Sequence, residues 1–82
     1  METEFLTADQ ALRFINACEK DKVFIFGVER FICVDGRITP DLGGIADFSS
    51  LSSQDVSGSV SSARSFLSLF GDVDQERFKL VY

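Results

Sequence analysis

Apolar positions along the chain change period twice, and each change marks an element. From Ala8 the apolar residues Ala11, Leu12, Ile15 and Cys18 return every three or four positions, while Asp9, Arg13, Asn16 and Glu19 fall elsewhere on the wheel. Thr7-Ala8-Asp9-Gln10 precedes this run as a capping box, and Phe5 or Leu6 is placed to staple onto Ala11. The pattern predicts a helix that ends near Glu19 to Asp21, with Lys20 and Lys22 at the negative end of its dipole.

From Lys22 to Thr39 the helical period is lost and β-branched and aromatic residues crowd together. Val23–Phe26 and Phe31–Val34 read as two strands, with one long bulged strand as the alternative, interrupted at Gly27, Glu29 and Arg30, where Gly27 permits a bulge or bend. Asp35-Gly36 suits a type I′ hairpin turn, after which Arg37 to Thr39 pairs back until Pro40 stops the ladder. From Pro40 to Ser53, Gly43-Gly44 and the Asp and Ser residues predict a loop. Leu42, Ile45, Phe48 and Leu51 anchor it at a spacing that suits a short helical turn over Ile45 to Leu51.

The serine-rich stretch that follows is no linker, because Val56, Val60, Ala63, Leu67 and Phe70 keep helical spacing. It predicts a second helix, capped near Ser52 to Asp55, with serines on its wet face, Phe66, Leu67, Leu69 and Phe70 packed inward, and Gly71 past its end. Asp72, Asp74 and Glu76 form an acidic connection to a half-exposed strand over Arg77 to Tyr82. Phe78, Leu80 and Tyr82 share one face of it, at or near a sheet edge that Lys79 would protect. The expected fold is therefore a single α+β domain over residues 1–82, two helices on one face of a three- or four-stranded, mainly antiparallel sheet.

Composition narrows the function. With 45% hydrophobic residues the 82-residue chain can build one core, and the nine phenylalanines are chiefly material for it. Net charge −5 disfavours nucleic acid and anionic lipid and favours a basic protein partner. With neither a signal-peptide pattern at the start nor a spanning apolar run, a cytoplasmic protein is expected, with Cys18 and Cys33 as buried free thiols.

Histidine is absent, which removes the usual base of a nucleophile triad and the commonest metal ligand. No serine occupies a nucleophile elbow, Gly43-Gly44 lacks the context of a phosphate loop, and the Asp72–Glu76 alternation lacks the glycine and final glutamate of a calcium loop. The aromatic residues Phe24, Phe26 and Phe31 lack the basic surroundings of an RNA-binding sheet. No catalytic, cofactor or metal residues are assigned. The expected role is non-enzymatic binding of the inhibitor or immunity-protein kind, with Glu29, Asp35, Asp41 and Asp47 meeting the partner. The alternative is a structural or regulatory subunit that self-associates or pairs through an edge strand or an apolar patch.

Overall fold

A computed structural model of the chain describes residues 1–70 and 74–82. Its elements are α1 (Ala8–Asp21), β1 (Gly27–Val34), β2 (Arg37–Asp47), α2 (Val56–Ser68) and β3 (Glu76–Val81). The three strands form an antiparallel sheet in the order β2-β1-β3, and the core joins one face of it to both helices. The α+β class, the single-layer sheet and the order of elements agree with the sequence reading.

The capping box forms: Thr7 Oγ1 accepts the Gln10 amide, and Gln10 Oε1 accepts the Thr7 amide. The helix stops at Lys22, whose φ of 56° is left-handed and whose N–H returns to the Cys18 and Glu19 carbonyls. At the second helix Asp55 is the cap and accepts from the Gly58 amide; a Cβ on Gly58 would strike that carboxylate. Arg64 then ties the helices together with bonds of 2.7 Å to both Glu19 Oε1 and Asn16 Oδ1. The hydrogen bond and charge of Arg64 hold the Glu19 carboxyl below its ordinary range. Gly71, proposed as the end of α2, lies outside the described residues.

The strand assignments change in two places. Val23–Phe26 is not a strand but an extended connection beneath α2, where Phe24 and Ile25 are buried. Its buried polar group is met by a side chain: the Ile25 N–H donates to Ser59 Oγ, which itself donates to the Val56 carbonyl. Ser59 is thus buried, against the expectation of a serine on the wet face. Gly27 begins β1 in register with Asp47, and a Cβ there would lie 2.7 Å from the Ala46 carbonyl oxygen. Leu69, expected inside, is 77% exposed.

Pro40 does not stop β2. The Cys33 N–H is spent on the Gln75 carbonyl, on the β3 side, so Cys33 and its partner Ile38 form a non-hydrogen-bonded pair. Alternation gives Phe31 and Pro40 the same character, which turns the nitrogen of Pro40 toward solvent, where no ladder bond is lost. The strand therefore runs on to Asp47, through Ile45–Asp47, where a helical turn was expected; only the Phe48–Leu51 turn remains, closed by the Leu51 amide on the Phe48 carbonyl. The outer edge of β3 is covered by residues 1–6. Leu6 and Phe78 exchange both backbone bonds, and Leu80 N–H donates to Thr3 Oγ1.

Removing the hydroxyl of Ser59 (Ser59→Ala) strands a buried amide and should cost about 1–3 kcal/mol, measured by urea unfolding; an unchanged midpoint would contradict this role. A second expectation concerns acid. Because the folded pKa of Glu19 is depressed, its contribution is present above the ordinary carboxylate range and lost as pH falls through the folded value. An NMR titration should find Glu19 titrating low in the native chain and returning to ordinary values in Arg64→Gln.

Candidate functional site

The four acidic residues expected to meet a partner all lie on the β1–β2 hairpin, at separate stations. Asp35 occupies its two-residue turn with φ 51°, beside Gly36 at φ 76°, the pair of positive angles that a type I′ turn requires. Asp47 closes the far end of β2, opposite Gly27. Seven residue steps from Gly27 to Val34 separate the two ends of the ladder by about 23 Å. Asp47 accepts the Ser49 amide at 2.9 Å, and its hydrogen bonds from Ser49 hold its carboxyl below the ordinary range, so it stays charged into acid. Glu29 stands mid-strand on the face away from the helices, beside Ile45 and Lys79, and makes no ion pair among the described residues, Lys79 pairing instead with Glu2 at 3.8 Å.

Asp41 is different, because it is already engaged. Between the pairs Glu29–Ile45 and Phe31–Pro40, β1 has the single residue Arg30 whereas β2 has four, Asp41 to Gly44, so β2 bulges. Arg30 fills the space with a side chain only 14% exposed. Its Nη1 lies 2.8 Å from Asp41 Oδ2, its Nε lies 3.1 Å from Glu76 Oε1, and its guanidinium carbon sits 4.4 Å from the centre of the Phe70 ring. Burial works against the charge, but the bonds that Arg30 donates to Asp41 and Glu76, with their charges, outweigh it and raise the pKa of Arg30 above its ordinary value. The other oxygen of Asp41 accepts the Gly43 amide, which shapes the bulge. Gly44 must remain glycine there, since a Cβ would lie 2.7 Å from the Arg30 Cβ.

Glu76, grouped by sequence with an acidic surface loop, is instead 2% exposed at the start of β3. Of the remaining members of that run, Asp72 lies outside the described residues. Neither the Arg30–Glu76 pairing nor its importance was recognised from the sequence. The available signal was Arg30 itself, a cation in the middle of a strand of Val, Phe, Ile and Cys, where only pairing makes burial tolerable.

A cleft of about 900 Å³ opens between the first turn of α1, the end of α2 and the start of β3. Ala8, Leu12, Leu67 and Phe70 supply its apolar lining. Its polar groups are largely committed elsewhere. Arg64 is bonded to Glu19, Asp9 to Arg13 at 2.6 Å, Glu76 to Arg30, and the Ser68 hydroxyl to the Ser65 carbonyl. Among the described residues no group of three or more Cys, Asp or Glu is arranged to hold a metal ion, and no helix is long and apolar enough to cross a membrane. Cys18 is buried, and burial with the neighbouring Asp21 pushes its thiol pKa up; Cys33, expected to be buried, is half-exposed on the open face.

Among the described residues no layer covers the second face of the sheet. By register it carries Ile38, Cys33, Phe31, Pro40 and Ile45 with Glu29, Arg77 and Lys79, and Phe5 meets the Phe31 ring edge-on at 5.0 Å. No family model matches the chain, and no curated protein or solved structure is significantly similar to it.

Replacing Arg30 by methionine should destabilise the fold by about 3–5 kcal/mol, because the buried ion pair of Arg30 with Glu76 is broken by removing one partner. Adding Glu76→Gln should recover part of that loss in a double-mutant cycle followed by chemical denaturation. Strict additivity of the two substitutions would show that the pair is not coupled.

Proposed function

We propose that the protein is a small acidic binding protein without enzymatic activity, of the inhibitor or immunity-protein kind, that occupies a more basic protein through its β1–β2 hairpin. The observation that carries this reading is the placement of Asp35, Asp41 and Asp47 along one hairpin at the free side of the sheet, held on a scaffold that needs no partner to order them. A rigid acidic rim of this kind accelerates encounter with a basic surface and selects against acidic ones. The net charge of −5 extends the same preference over the whole molecule and opposes binding to nucleic acid.

The individual roles are unequal. Asp35 is exposed in the turn, and the hydrogen bonds from Ser49 favour the ionised form of Asp47. Asp41 shares its charge with Arg30 and supports the shape of the rim. Glu29 stands on the adjoining open face. The free thiols of Cys18 and Cys33 suit a reducing compartment, and we assign the protein to the cytoplasm.

The double substitution Asp35→Asn with Asp47→Asn should weaken the isolated partner roughly threefold to tenfold at low salt, by the size of exposed charge pairs. It should also flatten the salt dependence of affinity. Calorimetry with a partner purified by pull-down from the source cell checks both, and an affinity and salt slope equal to those of the native chain would sink the reading.

A further inference from the structure

The bulge in β2 carries a leucine out of the protein. Spacing in the sequence groups Leu42 with Ile45, Phe48 and Leu51 as anchors of a loop, but in the structure Leu42 is 84% exposed, more than any other large apolar side chain of the described residues. It belongs neither to the core nor to the side chains packed against the core. A single exposed leucine is ordinary on a protein surface. The support beneath this one is not.

Opposite the single residue Arg30, β2 sets out the four residues Asp41 to Gly44, and the Arg30 side chain fills the inside of the bulge. One carboxylate fixes the chain on both sides of the leucine: Asp41 Oδ2 takes a bond of 2.8 Å from Arg30, and Oδ1 accepts the Gly43 amide at 3.1 Å. Gly44 packs against Arg30 and Asp41 too closely to admit a Cβ. A buried guanidinium and its two carboxylates thus hold in one shape a bulge whose crest is apolar and solvated. We propose that Leu42 is the anchor of the partner contact, a knob on the free edge of the sheet that enters an apolar pocket of the basic protein. The inference rests on the function proposed above and names the side chain that supplies most of the affinity within it.

Shape and charge both select that occupant. A side chain standing on a convex bulge loses its water only inside a concavity, and its backbone is already ordered before the partner arrives, so little ordering remains to oppose binding. From Asp35 to Asp47 the chain carries the three acidic residues Asp35, Asp41 and Asp47 and the one basic residue Arg37, a net charge of −2. Asp41, next to the leucine, has its charge answered by Arg30, whereas Asp35 and Asp47 stand at the two ends of the ladder. The arrangement is an apolar centre with charged groups around it, the anatomy of a contact in which a few central side chains hold and the rim steers. Acidic groups accelerate encounter with a basic surface, and the buried leucine slows release.

Calorimetry with the protein isolated by pull-down on the native chain tests the inference. Leu42→Ala should raise Kd about tenfold or more, at low and high salt alike, whereas the loss in the Asp35→Asn, Asp47→Asn double variant shrinks as salt rises. The Leu42→Ala chain should keep its circular dichroism spectrum and unfolding midpoint. Gly44→Ala, which displaces the bulge and keeps the leucine, should weaken binding by a similar factor, and adding Leu42→Ala to it should weaken binding little further. Leu42→Ala alone decides the matter if Gly44→Ala does not fold. Loss in Leu42→Ala with none in the charge variant would uphold the anchor and sink the acidic rim. Binding indifferent to Leu42→Ala while the charge variant is impaired would overturn the anchor and leave the binding reading standing. A native chain that captures no basic protein, or a dimer in sedimentation equilibrium that Leu42→Ala abolishes, would also overturn the inference, the second by giving the knob to another copy of the chain.

Discussion

Two helices of 14 and 13 residues can cover one face of a three-stranded sheet, and in this chain they cover no more. Much else follows from that constraint. The buried residues Val28, Phe78 and Leu80 meet Ala11, Ile15, Val60 and Ala63 in a single core, which makes the helix-facing side of β1 and β3 the stabilising side. Hydrophobic burial is concentrated there. Among the described residues the opposite side holds side chains of similar character without a second layer, so the same β1 sequence supplies a core on one face and an uncovered apolar surface on the other.

Arg30 is where the sheet departs from this division. By register it points toward the helix side, among residues that exclude water, and the local structure is arranged to tolerate it. The bulge in β2 brings Asp41 to it, the first position of β3 supplies Glu76, and Phe70 beyond the end of α2 covers the guanidinium. Three elements distant in sequence are thereby joined at one charged group. Because desolvation of each ion is costly, this arrangement is better understood as fixing geometry than as adding stability. It sets the shape of the free edge, including the station of Asp41, and gives the acidic hairpin a defined form.

The two edges of the sheet are protected by different means. At β3 the backbone groups of Phe78 and Leu80 are taken by Leu6 and Thr3, so the chain closes its own edge. At β2 protection is chemical: a proline nitrogen turned outward, a four-residue bulge, and charges at Arg37, Asp41 and Asp47. Neither edge offers a long flat ladder, which leaves side-chain surfaces, the open face and the hairpin rim, as the places where another protein can be met.

The sequence alone determined those elements whose signals are local. The first helix was legible in its cap and bounds, because a capping box and a 3.6-residue period act within a few residues of each other, although Leu12, read as part of its apolar stripe, is exposed. The Asp35-Gly36 turn, the second helix and the closing strand were legible for the same reason. Tertiary structure decided what depends on the far side of a contact. Val23–Phe26 has the composition of a strand and became a connection, because α2 offered Ser59 to its backbone. Pro40 has the chemistry of a strand end and became an interior position, because it fell on an outward-turned, non-hydrogen-bonded pair of an edge strand. Of the acidic residues, sequence supplied the charges but not their states: Asp35 and Asp47 stayed at the surface, whereas Asp41 and Glu76 were drawn to Arg30. Composition cannot distinguish these cases, since a carboxylate's role is set by whether a cation from another strand reaches it.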